Sequence, residues 1–569
     1  MTDMNGSMPV LGTMETGDNK LNGGLNGLAN GEANGMGNGT RHEVLLLETE
    51  AEKRERYFSL KIIYFTMFLI SLGFSIVLTG IWPYLDRLDP HAGKEFMGFI
   101  VAANPLGQMI FSPLFGWWSN KLKSIRMPLL ASMFIFCISS ALYSSLDLLK
   151  QDVKYWMFIA RFFVGVSSAN IAVCRSYVSA ATTLKERTNS VSMMSLAQVL
   201  GFVIGPALQA AVTPLGTEGF LFMNTFVINM YTASGWANVL LGVINFLMFL
   251  PCFFKDRRVA AREQMILQGK QSEKETWKHT KPDYASSFTL ILSFFVIVFN
   301  FVLLETLGSS LTMDQFAWSK SEALYYVGIL MSVGAFIACI AFCLISPLSK
   351  RFRESNVLIW GGFFTMVIGR LIFMPYRDEY PKIAVDREFM MENGTLGMYP
   401  EDHPAILGCP VSSQPWCSTT PVLGFPEFIL GYILSSIGYP IGVTLIQTIF
   451  SKILGSRPQG TWMGLFTAGG CVSRILGPVA VGSIYTRYGT SWTFGITMLM
   501  MVFPMIWLYI LRDRLDVTGI DVKSVEMKNL NGNGISKANG TNGNGLIKDK
   551  AVIINETNGE QENFLNNGR

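Results

Sequence analysis

Twelve apolar runs of about twenty residues dominate the chain: 61–85, 96–118, 127–146, 155–180, 190–213, 233–254, 288–311, 323–346, 356–375, 422–447, 460–484 and 492–511. A helix needs roughly 20 mostly apolar residues, each rising ~1.5 Å, to cross ~30 Å of hydrocarbon. No water is available there to satisfy the backbone, so each run must close its own hydrogen bonds as a helix. The sequence therefore predicts an all-α membrane protein with twelve transmembrane helices, numbered here as spans 1 to 12. Only 15% of the residues are charged, against about a quarter in a soluble chain. The lipid bilayer is thus an obligatory partner. A net charge of +4 gives no reason to expect a nucleic-acid partner.

The charged gap 255–287 divides the runs six and six. The predicted organisation is a disordered Gly/Asn-rich tail (1–56), a first six-helix half (57–254), a central loop (255–287), a second half (288–514) with a long loop (376–421), and a second disordered tail (515–569). No cleavable signal peptide is visible, because the first apolar run follows sixty mostly polar residues. Lys and Arg set the orientation. With the N-terminus in the cytosol, the cytosolic connections hold Lys121, Lys123, Arg126, Lys185, Arg187, Lys350, Arg351, Arg353, Lys452, Arg457, Arg512 and Arg514. The opposite loops hold far fewer, so both termini are expected to be cytosolic.

Loop 376–421 then lies on the lumenal or extracellular side. It carries a glycosylation acceptor at Asn393. Its Cys409 and Cys417 stand where disulfides persist. The other six cysteines fall in apolar runs and read as small hydrophobes. None of the four histidines falls in an apolar run, so neither a metal site nor an intramembrane histidine relay is expected. No phosphate-binding loop and no nucleophile–base pairing is found. The sequence predicts no cofactor and no enzyme, but a protein that moves a small solute or ion.

Short signals recur in the two halves. Ser112-Pro113-Leu114 closes span 2 and Ser346-Pro347-Leu348 closes span 8, each before a basic turn. Arg187 precedes Gly205-Pro206 as Arg457 precedes Gly477-Pro478. Such repeats mark many secondary transporters, whose substrate site lies near the midplane between the halves. Gly201, Gly205 and Pro206 admit close helix packing or a hinge for alternating access. Gln108, Asn104 and Gln198 read as interhelical hydrogen-bond formers, and Trp82, Tyr84 and Trp462 as interfacial aromatics.

The charged residues inside the runs are Arg161, Glu305, Arg370, Glu427 and Arg474. Each costs about 3 kcal/mol or more at a helix centre and so needs a reason. Glu305 and Arg161 both fall in the lumenal third of the membrane. Arg474 sits near the midplane, as a second anion contact or a packing pair with an acid. Arg370 and Glu427 lie near enough to the lumen to snorkel. Arg175, near the cytosolic end of span 4, is expected to pair at a cytosolic gate, with Glu186 a candidate partner.

Six plus six spans with a charged central loop resemble the major facilitator superfamily. Gly116-Trp117-Trp118-Ser119-Asn120-Lys121 resembles its cytosolic gate motif, with Asn120 in place of the usual acid. Arg161-Phe162-Phe163-Val164-Gly165 and Gly201-Phe202-Val203-Ile204-Gly205-Pro206 resemble its span 4 and span 5 patterns. Segments such as Ile81-Trp82-Pro83-Tyr84-Leu85, Leu311-Thr312-Met313-Asp314 and Ser451-Lys452-Ile453-Leu454-Gly455 resemble the lysosomal branch associated with neuronal ceroid lipofuscinosis. That resemblance implies an endolysosomal, glycosylated, monomeric multi-pass protein linked to chloride conductance. Sorting adaptors are possible partners, although Leu45-Leu46-Leu47 and Tyr57-Phe58-Ser59-Leu60 form no clean sorting signal. It also implies a cavity lined by spans 1, 4, 7 and 10, where Arg161, Glu305 and Glu427 would face one another. The functional expectation is proton uptake at Glu305 and anion binding at Arg161. The alternatives are a static Arg161–Glu305 pair, a proton-coupled carrier of an organic solute, or a non-transporting scaffold.

Overall fold

A computed structural model describes residues 48–78, 80–89, 93–149, 151–222, 226–268, 272, 283–385, 388–390, 396–398 and 404–516. Asn393 and all four histidines lie outside these residues, as does most of both tails. The described chain is built on long helices. Spans 1 to 5 are Glu50–Leu78, Phe96–Leu122, Arg126–Ser144, Val153–Ala180 and Leu184–Leu215. Span 6 is the shorter apolar helix Thr232–Met248. Spans 7 to 10 are Tyr284–Phe316, Ser321–Arg351, Glu354–Ile372 and Phe425–Leu454. Helix Gly460–Leu515 turns at Gly489, whose φ of 82° is left-handed, and so holds both span 11 (460–488) and span 12 (490–515). The twelve-helix, two-half architecture follows.

Several boundaries differ from the periodicity. Span 1 begins at Glu50, inside the segment expected to be a tail, because Arg56 is buried and anchors it. The Arg56 guanidinium pairs with Glu48 at 2.7 Å and Glu186 at 3.0 Å, and donates to the Ala181 carbonyl at 2.9 Å. Span 1 stops at Leu78, and the separate helix Ile81–Leu88 follows. Tyr84 on that helix is fully buried and stacks on Tyr231, so it is a core residue and not part of an interfacial belt. The central loop holds the helix Ala260–Gln268, tied to span 4 by the Val259 N–H donating to the Ala180 carbonyl at 2.9 Å.

Lipid gives helices little hydrophobic reason to associate, so close packing of small residues takes over. A Cβ at Gly201 would stand 2.4 Å from the Phe68 carbonyl oxygen, and one at Gly205 1.8 Å from Ser75 Oγ. Close packing of span 5 on span 1 therefore accounts for both glycines. Gly477 similarly brings span 11 onto Val302 of span 7. Pro206 and Pro478 stand inside helices that continue past them. Cys409 and Cys417 are disulfide-bonded, with Cα atoms 5.9 Å apart. Their loop inserts Trp416 against Gly489 and Tyr485, forming one core with Phe373, Leu423 and Phe494.

The halves meet at the face where span 1 begins, here called the basic face. The opposite side is the far face. Gly116 of span 2 and Gly460 of span 11 touch through their backbones: a Cβ on Gly116 would lie 2.1 Å from the Gly460 carbonyl oxygen. Asn120 Oδ1 accepts the Gly460 N–H at 2.9 Å, and Asn120 Nδ2 donates to Thr461 Oγ1 at 3.1 Å. Asn120 thus caps the first turn of a helix in the other half, satisfying a donor with no intrahelical partner. Beside it, Arg187 donates to the Ser451 carbonyl at 3.3 Å and the Ser179 carbonyl at 2.8 Å. Thr188 donates to Glu354, which also takes both 2.8 Å bonds from Lys452.

Substituting Gly116→Val overfills this interface, which costs about 1–3 kcal/mol in a well-packed site. We predict that it parts the halves at the basic face. In a background without the free cysteines, Thr461→Cys should then react faster with a membrane-impermeant maleimide supplied at that face. Unchanged labelling would contradict the packing described.

Candidate functional site

Span 11 provides a ruler through the membrane. Starting from Gly460, its inward residues meet the first half at successive depths. Arg175 of span 4 donates to Thr467 Oγ1 at 3.0 Å, with its guanidinium 5.6 Å from the ring centroids of both Phe294 and Phe466. Those two rings stack at 4.0 Å. One turn further, Cys471 Sγ donates to Gln108 Oε1 at 3.2 Å, and Gln108 is braced by the Ser168 carbonyl. At ~1.5 Å per residue, Thr467 lies roughly 10 Å and Cys471 roughly 16 Å above Gly460. Among the described residues, no hydrogen bond joins the halves between Cys471 and the far face. The protein is closed at the basic face, and Gln108–Cys471 forms the floor of the space above.

Arg474 stands just above that floor, and each half presents an aromatic pair to it. From the first half, the Phe202 ring lies 5.6 Å from the Arg474 guanidinium and meets Phe74 edge-on at 5.8 Å. From the second, Tyr439 lies within electrostatic reach of Arg474 and stacks on Phe301 at 4.0 Å. Glu305 of span 7 is exposed into this region and lies within electrostatic reach of Arg474. Arg175 also lies within reach of Arg474 from below, and its Nε has no partner. Arg474 therefore stands between one carboxylate and a second guanidinium. The arrangement carries net positive charge at the membrane centre, where a counter-ion is most strongly favoured.

The structure brings together Arg474, Glu305 and Arg175 but separates others. Arg161 does not face Glu305. It is 1% exposed, its guanidinium lies 5.4 Å from the Phe74 ring, and its Nε and Nη2 have no partner. It reaches the site through Phe74 and Phe202, so neither the direct anion contact nor the static pair with Glu305 describes it in this conformation. Arg175 pairs with Thr467 and not with Glu186, whose carboxylate Arg56 and Tyr57 occupy. Arg370 does not snorkel: it is fully buried and donates to the Asn300 side chain at 3.2 Å and to the Asn300 carbonyl. Glu427 is exposed at the far face and accepts from Arg377 at 3.1 Å, outside the central group. Phe74, Phe202, Phe301 and Tyr439 were not foreseeable from sequence because aromatic residues are common in apolar runs. Among the described residues, no cluster of three or more His, Cys, Asp or Glu could hold a metal.

The family model described as Major Facilitator Superfamily matches residues 63–384 and 406–536. The Xenopus laevis "Major facilitator superfamily domain-containing protein 8" is 38% identical over 467 residues, covering 79% of this chain and 90% of that protein. Among solved structures, the human organic anion transporter MFSD10 (TETRAN) aligns with a TM-score of 0.55 at 16% identity, over 80% of this chain and 99% of that one. The proton:xylose symporter XylE aligns at 0.57 and 12% identity, over 80% and 96%. A twelve-helix chain with two halves closed at one face and charged at the midplane, matched over most of its length, belongs to the major facilitator superfamily.

Proposed function

We propose that this transporter carries a small anion together with a proton by alternating access, out of an acidic endolysosomal lumen on its far face. The observation that carries the reading is Arg474, set between the Glu305 carboxylate and the second guanidinium of Arg175, above a closed floor. While Glu305 is ionised it competes with an anion for Arg474. Once protonated, it leaves two like charges facing each other in a low-dielectric region, and a bound anion relieves them. Proton and anion therefore favour each other's binding, and thermodynamic reciprocity makes the coupling mutual. Rocking the halves then passes both to the basic face, read as cytosolic from its Lys and Arg. A continuous conductance of chloride, the smallest such anion, would need the basic face open at the same moment. The layers from Asn120–Gly460 to Gln108–Cys471 oppose that.

Two features support the compartment. The Cys409–Cys417 disulfide lies at the far face, where an oxidising lumen would preserve it. Asp147, in the turn between spans 3 and 4 on that face, accepts from Asn229 at 3.4 Å. Burial pushes its carboxyl above the ordinary value, while Arg87 and the Asn229 hydrogen bond oppose the rise. An acid raised in the folded state holds its proton more tightly there than in the unfolded chain. Folding stability contributed by this group therefore increases as pH falls through the folded pKa.

Two outcomes follow. Arg474→Ala should weaken anion binding at pH 5 at least about thirtyfold, matching about 2 kcal/mol for removing one partner of a buried charge pair. Glu305→Gln should keep binding but make it independent of pH, as read by calorimetry between pH 5 and 7.5. Retained pH dependence in Glu305→Gln would remove Glu305 from the coupling. Separately, Asp147→Asn should raise the melting temperature at pH 7.5 toward its value at pH 5. An unchanged gap between the two pH values would rule out Asp147 as its source.

A further inference from the structure

The rings around Arg474 identify the class of anion. We infer that the substrate is an organic anion with a flat aromatic body, its acidic group on Arg474 and its ring held between the Phe74–Phe202 and Phe301–Tyr439 pairs. This rests on the anion reading of the site and names what the site is shaped to take.

The two pairs belong to opposite halves, spans 1 and 5 on one side and spans 7 and 10 on the other. Both neighbour the same guanidinium, Phe202 with its ring 5.6 Å away and Tyr439 within electrostatic reach. All four rings keep part of their surface accessible. A monatomic anion gains nothing from such walls: aromatic faces carry partial negative charge and repel it. It would be better served by hydroxyl and amide donors. A planar aromatic acid uses every part of the arrangement. Its carboxylate takes the guanidinium in place of Glu305, and its ring stacks on, or meets edge-on, one pair from each half. Because those pairs lie on different halves, the ligand's ring would bridge them. Closure around an aromatic ligand thus adds ring packing that closure around a bare ion lacks, a difference that can bias the equilibrium between open and closed states.

The test compares acids that share a carboxylate but differ in body. Benzoate, cyclohexanecarboxylate, acetate and chloride are titrated into the purified full-length protein at pH 5, with binding read by calorimetry. Benzoate should bind at least about tenfold tighter than acetate, equivalent to ~1.4 kcal/mol, and tighter than cyclohexanecarboxylate, which matches its apolar bulk but has no π face. In Phe202→Leu and in Tyr439→Leu the benzoate-to-acetate ratio should fall toward one. Both substitutions keep an apolar residue, and a retained size-exclusion profile shows that each variant is folded. Equal binding of benzoate and acetate, or a ratio that survives both variants, overturns the inference. If anions bind without aromatic preference but depend on Arg474, the anion site stands and only the substrate class falls. If no anion binding depends on Arg474, both fall.

Discussion

One guanidinium, Arg474, set between a carboxylate and a second guanidinium near the depth where charge is most expensive, governs the rest of this molecule. Glu305 offsets only Arg474, Arg175 adds a second positive charge beneath it, and Arg474 cannot escape to a headgroup from the midplane. The surroundings are built to tolerate that deficit. Arg175 lies beside the Phe294–Phe466 pair and bonds Thr467. Arg474 lies beside Phe202 and within reach of Tyr439. Cation–π interactions of this kind are worth about 0.5–2 kcal/mol each, less than the cost of an uncompensated charge. On the proposed reading, that remaining deficit is what an anion fills.

At Asn120, closure beneath the site is made without a charge. The superfamily motif resembled by Gly116–Lys121 places an acid where this chain has Asn120. A helix N-terminus needs an acceptor for its free N–H groups, and an amide oxygen supplies one as a carboxylate would. Asn120 accepts from Gly460 and also donates to Thr461, a bond that a carboxylate could not make. Asn120 therefore bonds the first turn of span 11 without a charge. Gly116 and Gly460 make that bond possible by letting two backbones touch. Charged groups close the halves beside it: Arg187 donates to the Ser451 carbonyl, and Glu354, held by Lys452, accepts from Thr188.

The architecture was legible because a bilayer imposes one rule on every span. Twelve apolar runs, a charged break and paired Gly-Pro signals led to two six-helix halves. Glu305 and Arg474 stood out because their cost in hydrocarbon demands an explanation. Direction around each helix was not legible. Depth, with the cavity-lining spans that the resemblance implies, put Arg161 opposite Glu305, whereas its side chain turns into the first half beside Tyr143 and Phe74. Distance from the end of a run suggested a snorkelling Arg370, but it points inward to Asn300. The aromatic walls were invisible for a different reason: with 41 Phe in the chain, composition cannot separate a ring that meets lipid from one that meets substrate. Arg56 was misplaced in a tail because a charged segment before an apolar run looks solvated until its partner Glu186, 130 residues away, is brought beside it.

Whether anion and proton move together decides between a coupled carrier and a conductance. The most direct measurement is benzoate uptake into proteoliposomes holding the purified protein, with the pH gradient and the membrane potential imposed independently. One proton carried with one monovalent anion moves no net charge. A pH gradient alone, acidic on the side from which benzoate enters, should then drive protein-dependent accumulation above the protein-free leak, and a potential alone should not. Accumulation driven by potential at equal pH would contradict coupling through Glu305 and identify the protein as a conductance.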